Sequence, residues 1–379
     1  MMLLIKNAQI FSPKFIGRKD IFVCNGKIVC IDENLNPNLP NLKVIEASKF
    51  IATPGLIDKH VHITGGGGEG GFKTRVPEIM LSKFIEAGIT TAVGLLGTDS
   101  ATRSVENLVA KANALNDEGI TCYAHTGAYN VQTPTITGDI QKDIVFVDKI
   151  IGIKLAISDH RSSSVSKNEL ARIVSAGRVA GMISSKSGHT TLHMGDGKKG
   201  LGLVYEALEE FDIPITFFQP THVNRNENLF NEAVKFLKDG GYIDLTCKNH
   251  LSPLEAIKRI KSQGLSTDRI TVSSDGYGSF SSYDADGKLL EIGVASVRAL
   301  FEEFLSLVND GFGLEEALVF FTTNVANSIA IADKKGKISI GYDADLLLFD
   351  ENLGLEYVIA KGEILKDENG FIKKGTYEY

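Results

Sequence analysis

Between residues 55 and 276 the chain alternates short apolar, strand-like runs with helix-like segments. The runs are GLIDKHVHI (55–63), ITTAVGLLG (89–97), ITCYAHTGAY (120–129), IIGIKLAIS (150–158), TTLHMGD (190–196), ITFFQPTH (215–222), YIDLTCK (242–248) and ITVSSDG (270–276). The segments between them carry helix punctuation. SKNE (166–169) and SPLE (252–255) are capping boxes, the second with proline at the first helical position. Gly88, Gly119, Gly181, Gly240 and Gly264 stand where C-terminal caps are expected. Eight such repeats in about 280 residues have the length and rhythm of a closed parallel barrel, so the pattern predicts an α/β fold of the (β/α)8 TIM-barrel type. An open doubly wound sheet is the rival.

The two ends have a different texture. DIFVC-NG-KIVCID reads as a hairpin, with Asn25-Gly26 supplying the positive φ angles of a two-residue turn. DADLLLFD and YVIAKGEILKD repeat that texture after a helical region that closes near Ala330. Neither end has enough strands to be stable alone, so the expectation is one small β-sandwich-like domain built from 1–52 and 333–379, with the barrel occupying 53–332.

The predicted strands end, in order, at His60 and His62, at Gly97-Thr98-Asp99, at Tyr129, at Lys154 with Arg161 just beyond, at His193, at His222 with Arg225, at Cys247-Lys248, and at Asp275. In a barrel of this kind chemistry collects at that end, and six of the eight strands bring a ligand or acid–base group to it.

Composition narrows the setting without changing it. The chain has 379 residues, 43% hydrophobic and 23% charged, with net charge −7 and no run of lysine or arginine, which leaves no electrostatic footprint for nucleic acid or an anionic membrane. The N-terminal residues lack a signal-peptide core and no apolar span is long enough to cross a bilayer, so a cytoplasmic protein acting on a small molecule is expected. Cys24, Cys30, Cys122 and Cys247 form no CxxC motif and read as reduced, packed thiols.

Residues two apart in a strand share a face, so His60 and His62 would both point into the barrel mouth, where paired imidazoles suit a cation such as zinc. Alone, HVH also reads as a polar strand end, His193 and His222 as satisfied core histidines, and Asp275 as a turn residue; their common place at strand ends favours ligation. Lys154 lies in an apolar strand, where burial drives an ammonium toward the neutral amine. A neutral amine can add carbon dioxide, and the resulting carbamate can bridge two cations. A lysine paired with a carboxylate is the alternative, and the surrounding histidines favour the bridge.

The set HVH, Lys154, His193, His222 and Asp275 resembles the amidohydrolase superfamily, as do TPGLIDKHVH and GYDADLLLF at the entry to and exit from the barrel. GGGGE, GLLGTDS, TGAY, AISDHRS, HMGD, PTHVNRN and SSDGYGS together resemble the isoaspartyl (beta-aspartyl) dipeptidases. That resemblance implies two zinc ions. His60, His62 and Asp275 would hold one, His193 and His222 the other, with carboxylated Lys154 between them and a shared hydroxide as nucleophile. It also implies a homo-oligomer, an octamer in the resembled family, and a dipeptide as the small-molecule partner.

An isoaspartyl dipeptide carries a free ammonium and two free carboxylates, and Glu69, Arg161 and Arg225 supply the matching charges in loops after strands one, four and six. By resemblance, Glu69 would bind the ammonium with Gly67, Thr98 and Ser279, while Arg161 and Arg225 grip carboxylate; a surface ion pair is the alternative for each arginine. Tyr129 would donate to the developing oxyanion, with a packed core tyrosine as its alternative. Asp275 would act as general base and then acid. His125, His160, His189 and His250 receive no role. Two rival functions stand beside this one: a cyclic-amide hydrolase of the dihydroorotase or hydantoinase kind, which has no use for an ammonium anchor, and a non-catalytic scaffold, which would be expected to lose ligands.

Overall fold

The eight apolar runs become strands buried along nearly their whole length, because helices cover the outer face and the barrel interior the inner one. The computed structural model describes residues 2–283 and 289–379. Five strands come first: β1 (Met2–Phe11), β2 (Phe15–Cys24), β3 (Lys27–Asp32), β4 (Leu42–Glu46) and β5 (Ile51–Pro54). The barrel strands follow: β6 (Leu56–Val61), β7 (Ile89–Gly94), β8 (Thr121–Gly127), β9 (Ile150–Ile157), β10 (His189–Met194), β11 (Phe218–Thr221), β12 (Ile243–Thr246) and β13 (Ile270–Ser273). A hairpin, β14 (Ser279–Tyr283) and β15 (Leu289–Val294), leads to the last helices, and β16 (Leu346–Phe349), β17 (Leu355–Ala360), β18 (Glu363–Asp367) and β19 (Gly370–Phe371) end the chain. The helices are α1 (Leu81–Glu86), α2 (Val105–Glu118), α3 (Ile140–Phe146), α4 (Lys167–Ser184), α5 (Gly202–Glu210), α6 (Glu227–Lys238), α7 (Pro253–Ser262), α8 (Arg298–Asn309), α9 (Leu314–Val319) and α10 (Thr323–Ser328).

Strands β6 to β13 pair in sequence order, all parallel where their register is defined. The barrel closes where the last strand meets the first. Val61 bridges Gly276, the His62 N–H donates to Gly276 O (2.8 Å), and the Asp58 carboxylate accepts from the Ser274 N–H (3.3 Å) and hydroxyl. Opposite the site, Ile57 and Ile151 pack against Val325, Ile329 and Ile331, so that α10 and the turn after it seal the other end of the barrel.

The chain ends do join. β16 lies antiparallel on β5, placing the C-terminal strands in one nine-stranded sheet with β1 to β5 around a core that includes Leu3, Ile5, Ile21, Val23, Leu346, Leu348 and Ile359. Asn25 and Gly26 adopt φ of 49° and 76°, the paired positive values of the predicted hairpin turn. Buried Lys335 fastens this sheet to the barrel: it pairs with Asp343 (2.9 Å) and Asp345 and donates to the Thr121 hydroxyl (2.7 Å) on β8.

Both capping boxes form, with Ser166 and Ser252 accepting from the backbone of Glu169 and Glu255. Gly119 caps α2, and Gly88, Gly240 and Gly264 follow α1, α6 and α7 with positive φ. Gly181 departs from the expectation. It lies inside α4, and the helix ends at Ser185 in the left-handed region. A Cβ at Gly181 would stand 2.8 Å from Lys186 O and 3.0 Å from the Gly188 Cα, so close approach of the returning chain, not capping, selects glycine there. The four cysteines are free, and among the described residues no helix is long and apolar enough to cross a membrane.

Deep in the barrel His125 and His189 meet edge to face, ring centroids 4.9 Å apart. Both are fully buried, and both ring nitrogens of His125 and Nε2 of His189 lack a protein partner. Burial pushes the His189 pKa down to about 3 and that of His125 well below its ordinary value. The unfolded chain therefore binds a proton near pH 6.5 that the folded chain refuses until about pH 3, and stability falls as pH drops through that window. For His189 alone the loss at pH 5 is about 2 kcal/mol. Chemical denaturation of His189→Gln should show a flatter decline between pH 7 and pH 5 than wild type; parallel curves would refute the assignment.

Candidate metal and substrate site

β6 begins the site with an irregularity. Its register to β7 jumps from Asp58↔Ala92 to Val61↔Gly94, three residues against two, which is a bulge. The extra residue lets neighbours in sequence both find partners inside the barrel. Lys59 Nζ donates to the Gln219 side-chain oxygen (3.1 Å) on β11, while His60 Nε2 lies 3.0 Å from Lys154 Nζ on β9. His62 projects from the end of the strand, with Nε2 3.1 Å from Asp275 Oδ1 beyond β13. The same oxygen lies 3.3 Å from His60 Nε2. His222 and Asp275, just past β11 and β13, hold positive φ of 60° and 53°, an uncommon backbone for residues with a side chain that turns both toward the barrel axis.

The hydrogen bonds constrain the imidazole tautomers. The Thr221 hydroxyl donates to Asp244 (2.8 Å) and so presents lone pairs to His60 Nδ1 (3.3 Å), leaving the His60 Nε2 lone pair facing Lys154 and Asp275. His222 Nδ1 is engaged by the Thr246 hydroxyl (2.8 Å), and its buried Nε2 has no protein partner. On His193 two groups meet Nε2, the Asp159 carboxylate (2.9 Å), which can only accept, and Arg161 Nη2 (3.2 Å), which can only donate; the shorter contact to the carboxylate favours Nε2–H, with the lone pair on Nδ1 receiving the Tyr129 hydroxyl (2.7 Å).

Three imidazole lone pairs, the Asp275 carboxylate and Lys154 thus meet in one buried space. Ligand atoms of His60, His222 and Asp275 lie within 4.8 Å of one another, and the His193 and His222 rings meet edge to face with centroids 4.5 Å apart. The orphaned His222 Nε2 and this donor set fit a divalent cation. Burial lowers the Lys154 ammonium to about 7, where a neutral amine is accessible. Burial alone would raise the Asp275 carboxyl, but His222, His62 and Lys154 outweigh it and hold it below the ordinary range.

Above these groups opens a cavity of about 470 Å³ whose wall includes every residue expected at the substrate: Gly67, Glu69, Thr98, Tyr129, Arg161, Arg225 and Ser279. The glycine run is an ordered wall. Gly65, Gly67 and Gly68 take positive φ, a Cβ on Gly67 would meet Thr74 O at 2.3 Å, and Arg103 holds the loop by donating to the carbonyls of Thr64, Gly66 (3.2 Å) and Val76 (2.8 Å). Glu69 at its tip accepts from the Thr98 hydroxyl (3.2 Å), the Ser279 hydroxyl (2.9 and 3.0 Å) and Arg161 (3.3 Å).

Both arginines are already oriented by carboxylates. Asp196 grips Arg225 at 3.0 and 2.8 Å, and Asp159 grips Arg161 at 2.9 and 2.8 Å. Asp159, Asp196, Thr246 and Lys59 are not marked out by the sequence. Asp159 and Asp196 stand beside residues that it does mark, in SDHR and HMGD, but the contacts that give them meaning come from across the barrel mouth. His160 is mostly exposed and His250 is exposed.

Known proteins resemble this chain in sequence and fold. The model of the amidohydrolase family matches residues 51–373. Beta-aspartyl dipeptidase from Fervidobacterium islandicum AW-1, solved in complex with beta-Asp-Leu dipeptide, is 43% identical and superposes with a TM-score of 0.95, covering 100% of this chain and 99% of that one. Dihydroorotase of Elusimicrobium minutum is 34% identical over 113 residues, 28% of this chain and only 24% of that protein's length. Dihydroorotase of Aquifex aeolicus is 23% identical over 407 residues, 93% of this chain and 90% of that protein. With a family match across most of its length and a full-length relative at 43% identity, the chain belongs to the amidohydrolase family.

Proposed function

We propose that this protein is a metal-dependent dipeptidase that hydrolyses the isopeptide bond of beta-aspartyl dipeptides, releasing aspartate and an amino acid. The observation that carries the reading is Glu69: a carboxylate held by two hydroxyls and an arginine in the wall of the cavity that opens over the ligand cluster. Such a group matches the free ammonium of an isoaspartyl residue, and a cyclic amide offers nothing to pair with it.

His60, His62 and Asp275 would hold one zinc ion and His193 and His222 a second, with Lys154 between them as the carbamate. For that group to form, the neutral Nζ adds to carbon dioxide, an N–C bond is made and a proton is released. Bound there, the metals would supply Lewis acidity and hydroxide near neutral pH.

The protein's own groups do the rest. Glu69 binds the ammonium, with Thr98 and Ser279 fixing its oxygens and Gly67 bringing backbone close. Arg161 and Arg225 take carboxylate through their remaining N–H groups. Tyr129, whose hydroxyl burial keeps protonated far above neutral pH, donates to the carbonyl oxygen as negative charge develops there. Asp275 accepts the proton of the attacking water and passes it to the leaving nitrogen. A cytoplasmic location and a homo-oligomeric state complete the proposal.

Parallel assays on a beta-aspartyl dipeptide, its alpha-linked isomer and dihydroorotate test it, and cleavage of only the cyclic amide would overturn it. In Glu69→Gln, kcat/KM for the beta-aspartyl dipeptide should fall about 10²-fold or more, the ~3 kcal/mol of a lost charge-assisted pair. Wild-type kinetics in that variant would return Glu69 to a structural role.

A further inference from the structure

Asp159, at the end of β9, accepts four hydrogen bonds from two partners of different kinds. Its Oδ1 takes the Arg161 backbone N–H (2.8 Å) and Nε–H (2.9 Å), and its Oδ2 takes Arg161 Nη2–H (2.8 Å) and His193 Nε2–H (2.9 Å). The side chain is nearly closed to solvent, 2% exposed. No hydroxyl or water is needed to explain its burial, because both oxygens are filled by groups that belong to the site.

We propose that Asp159 is a positioning residue that couples the strength of the His193 ligand to occupation of Arg161 by a substrate carboxylate. The coupling rests on the dipeptidase reading of Arg161, and it follows from sharing one acceptor. In the free protein the guanidinium draws on both Asp159 oxygens. A substrate carboxylate on the remaining N–H groups of Arg161 would offset the guanidinium charge and weaken its pull on Asp159, leaving Oδ2 freer to accept from His193 Nε2–H. A stronger bond at Nε2 raises the basicity of the opposite nitrogen, Nδ1, which meets the Tyr129 hydroxyl here and would turn its lone pair to a cation once the hydroxyl moves to substrate. Binding of aspartate and binding of metal therefore reinforce each other, and the effect is reciprocal. Asn cannot replace this acid, since one of its two ends would present N–H to donors.

Zinc affinity, measured by chelator competition with and without L-aspartate, tests the proposal alongside KM and kcat for beta-Asp-Leu. In wild type, saturating L-aspartate should tighten zinc about fivefold or more. Asp159→Asn should bind zinc about 10- to 100-fold more weakly, raise KM, and lose the aspartate effect. Arg161→Met should raise KM and lose the aspartate effect while retaining zinc at least as tightly as wild type. If Asp159→Asn does not fold, this split in Arg161→Met decides by itself. Unchanged zinc affinity and KM in Asp159→Asn, or an aspartate effect that persists in either variant, would overturn the role of Asp159. Absence of beta-Asp-Leu cleavage by wild type would instead remove the dipeptidase reading and the substrate half of this coupling with it.

Discussion

Asp275→Asn should lower kcat by about 10²- to 10⁴-fold, the range of a positioned general base, with little change in KM. The side chain keeps its shape and one ligand oxygen, so metal content should stay close to that of wild type. What the variant loses is the carboxylate proposed to accept the proton, which neighbouring His222, His62 and Lys154 hold below the ordinary range against the opposing effect of burial. The Asp275 backbone should tolerate the change, since Asn adopts positive φ readily and the residue sits at φ 53°. Steady-state kinetics and metal analysis on the same preparation separate the two roles. Near-normal turnover with full metal would leave Asp275 as a ligand only.

If Lys154 bridges the two proposed metals, Lys154→Ala should reduce metal stoichiometry to one per chain or fewer, with a loss of activity of about 10³-fold or more. The lysine is fully buried in β9, its Nζ 3.0 Å from His60 Nε2, and burial brings its pKa down to about 7. The free amine that a carbamate requires is therefore available near neutrality, whereas an exposed lysine would be protonated. A second observation belongs to the same prediction: metal-free wild type reloaded in carbon dioxide-free buffer should take up metal incompletely and recover on addition of bicarbonate. Full stoichiometry and activity in Lys154→Ala would rule out the bridging role.

The strand ends were legible in the sequence because barrel strands are short, apolar and punctuated, so a polar residue at the end of one stands out. His60, His62, Tyr129, Lys154, His193, His222 and Asp275 were all found that way, and the structure brings them together. Gly181 shows where local rules stop: a glycine near a helix end reads as a cap, yet what demands it is the backbone of Lys186 to Gly188, on the chain returning to β10. The bulge in β6 was invisible for a related reason. Strict alternation places Lys59 and His60 on opposite faces, and only pairing with β7 reveals the extra residue that gives both partners inside the barrel.

What the sequence determined by itself is the inventory and its order: eight strand–helix units, two ends of β texture, and which side chains arrive at the barrel mouth. Those follow from periodicity and turn chemistry, which act over a few residues. The tertiary structure alone decided how the polar atoms are shared. Asp159 lies two residues from Arg161 but shares one oxygen with His193 of the next strand, Thr246 at the end of β12 holds the His222 ring just past β11, and Arg103 on the approach to α2 holds the loop that carries Glu69. A hydrogen bond depends on distances of a few tenths of an ångström between groups far apart in the chain, and those distances exist only once the barrel has closed.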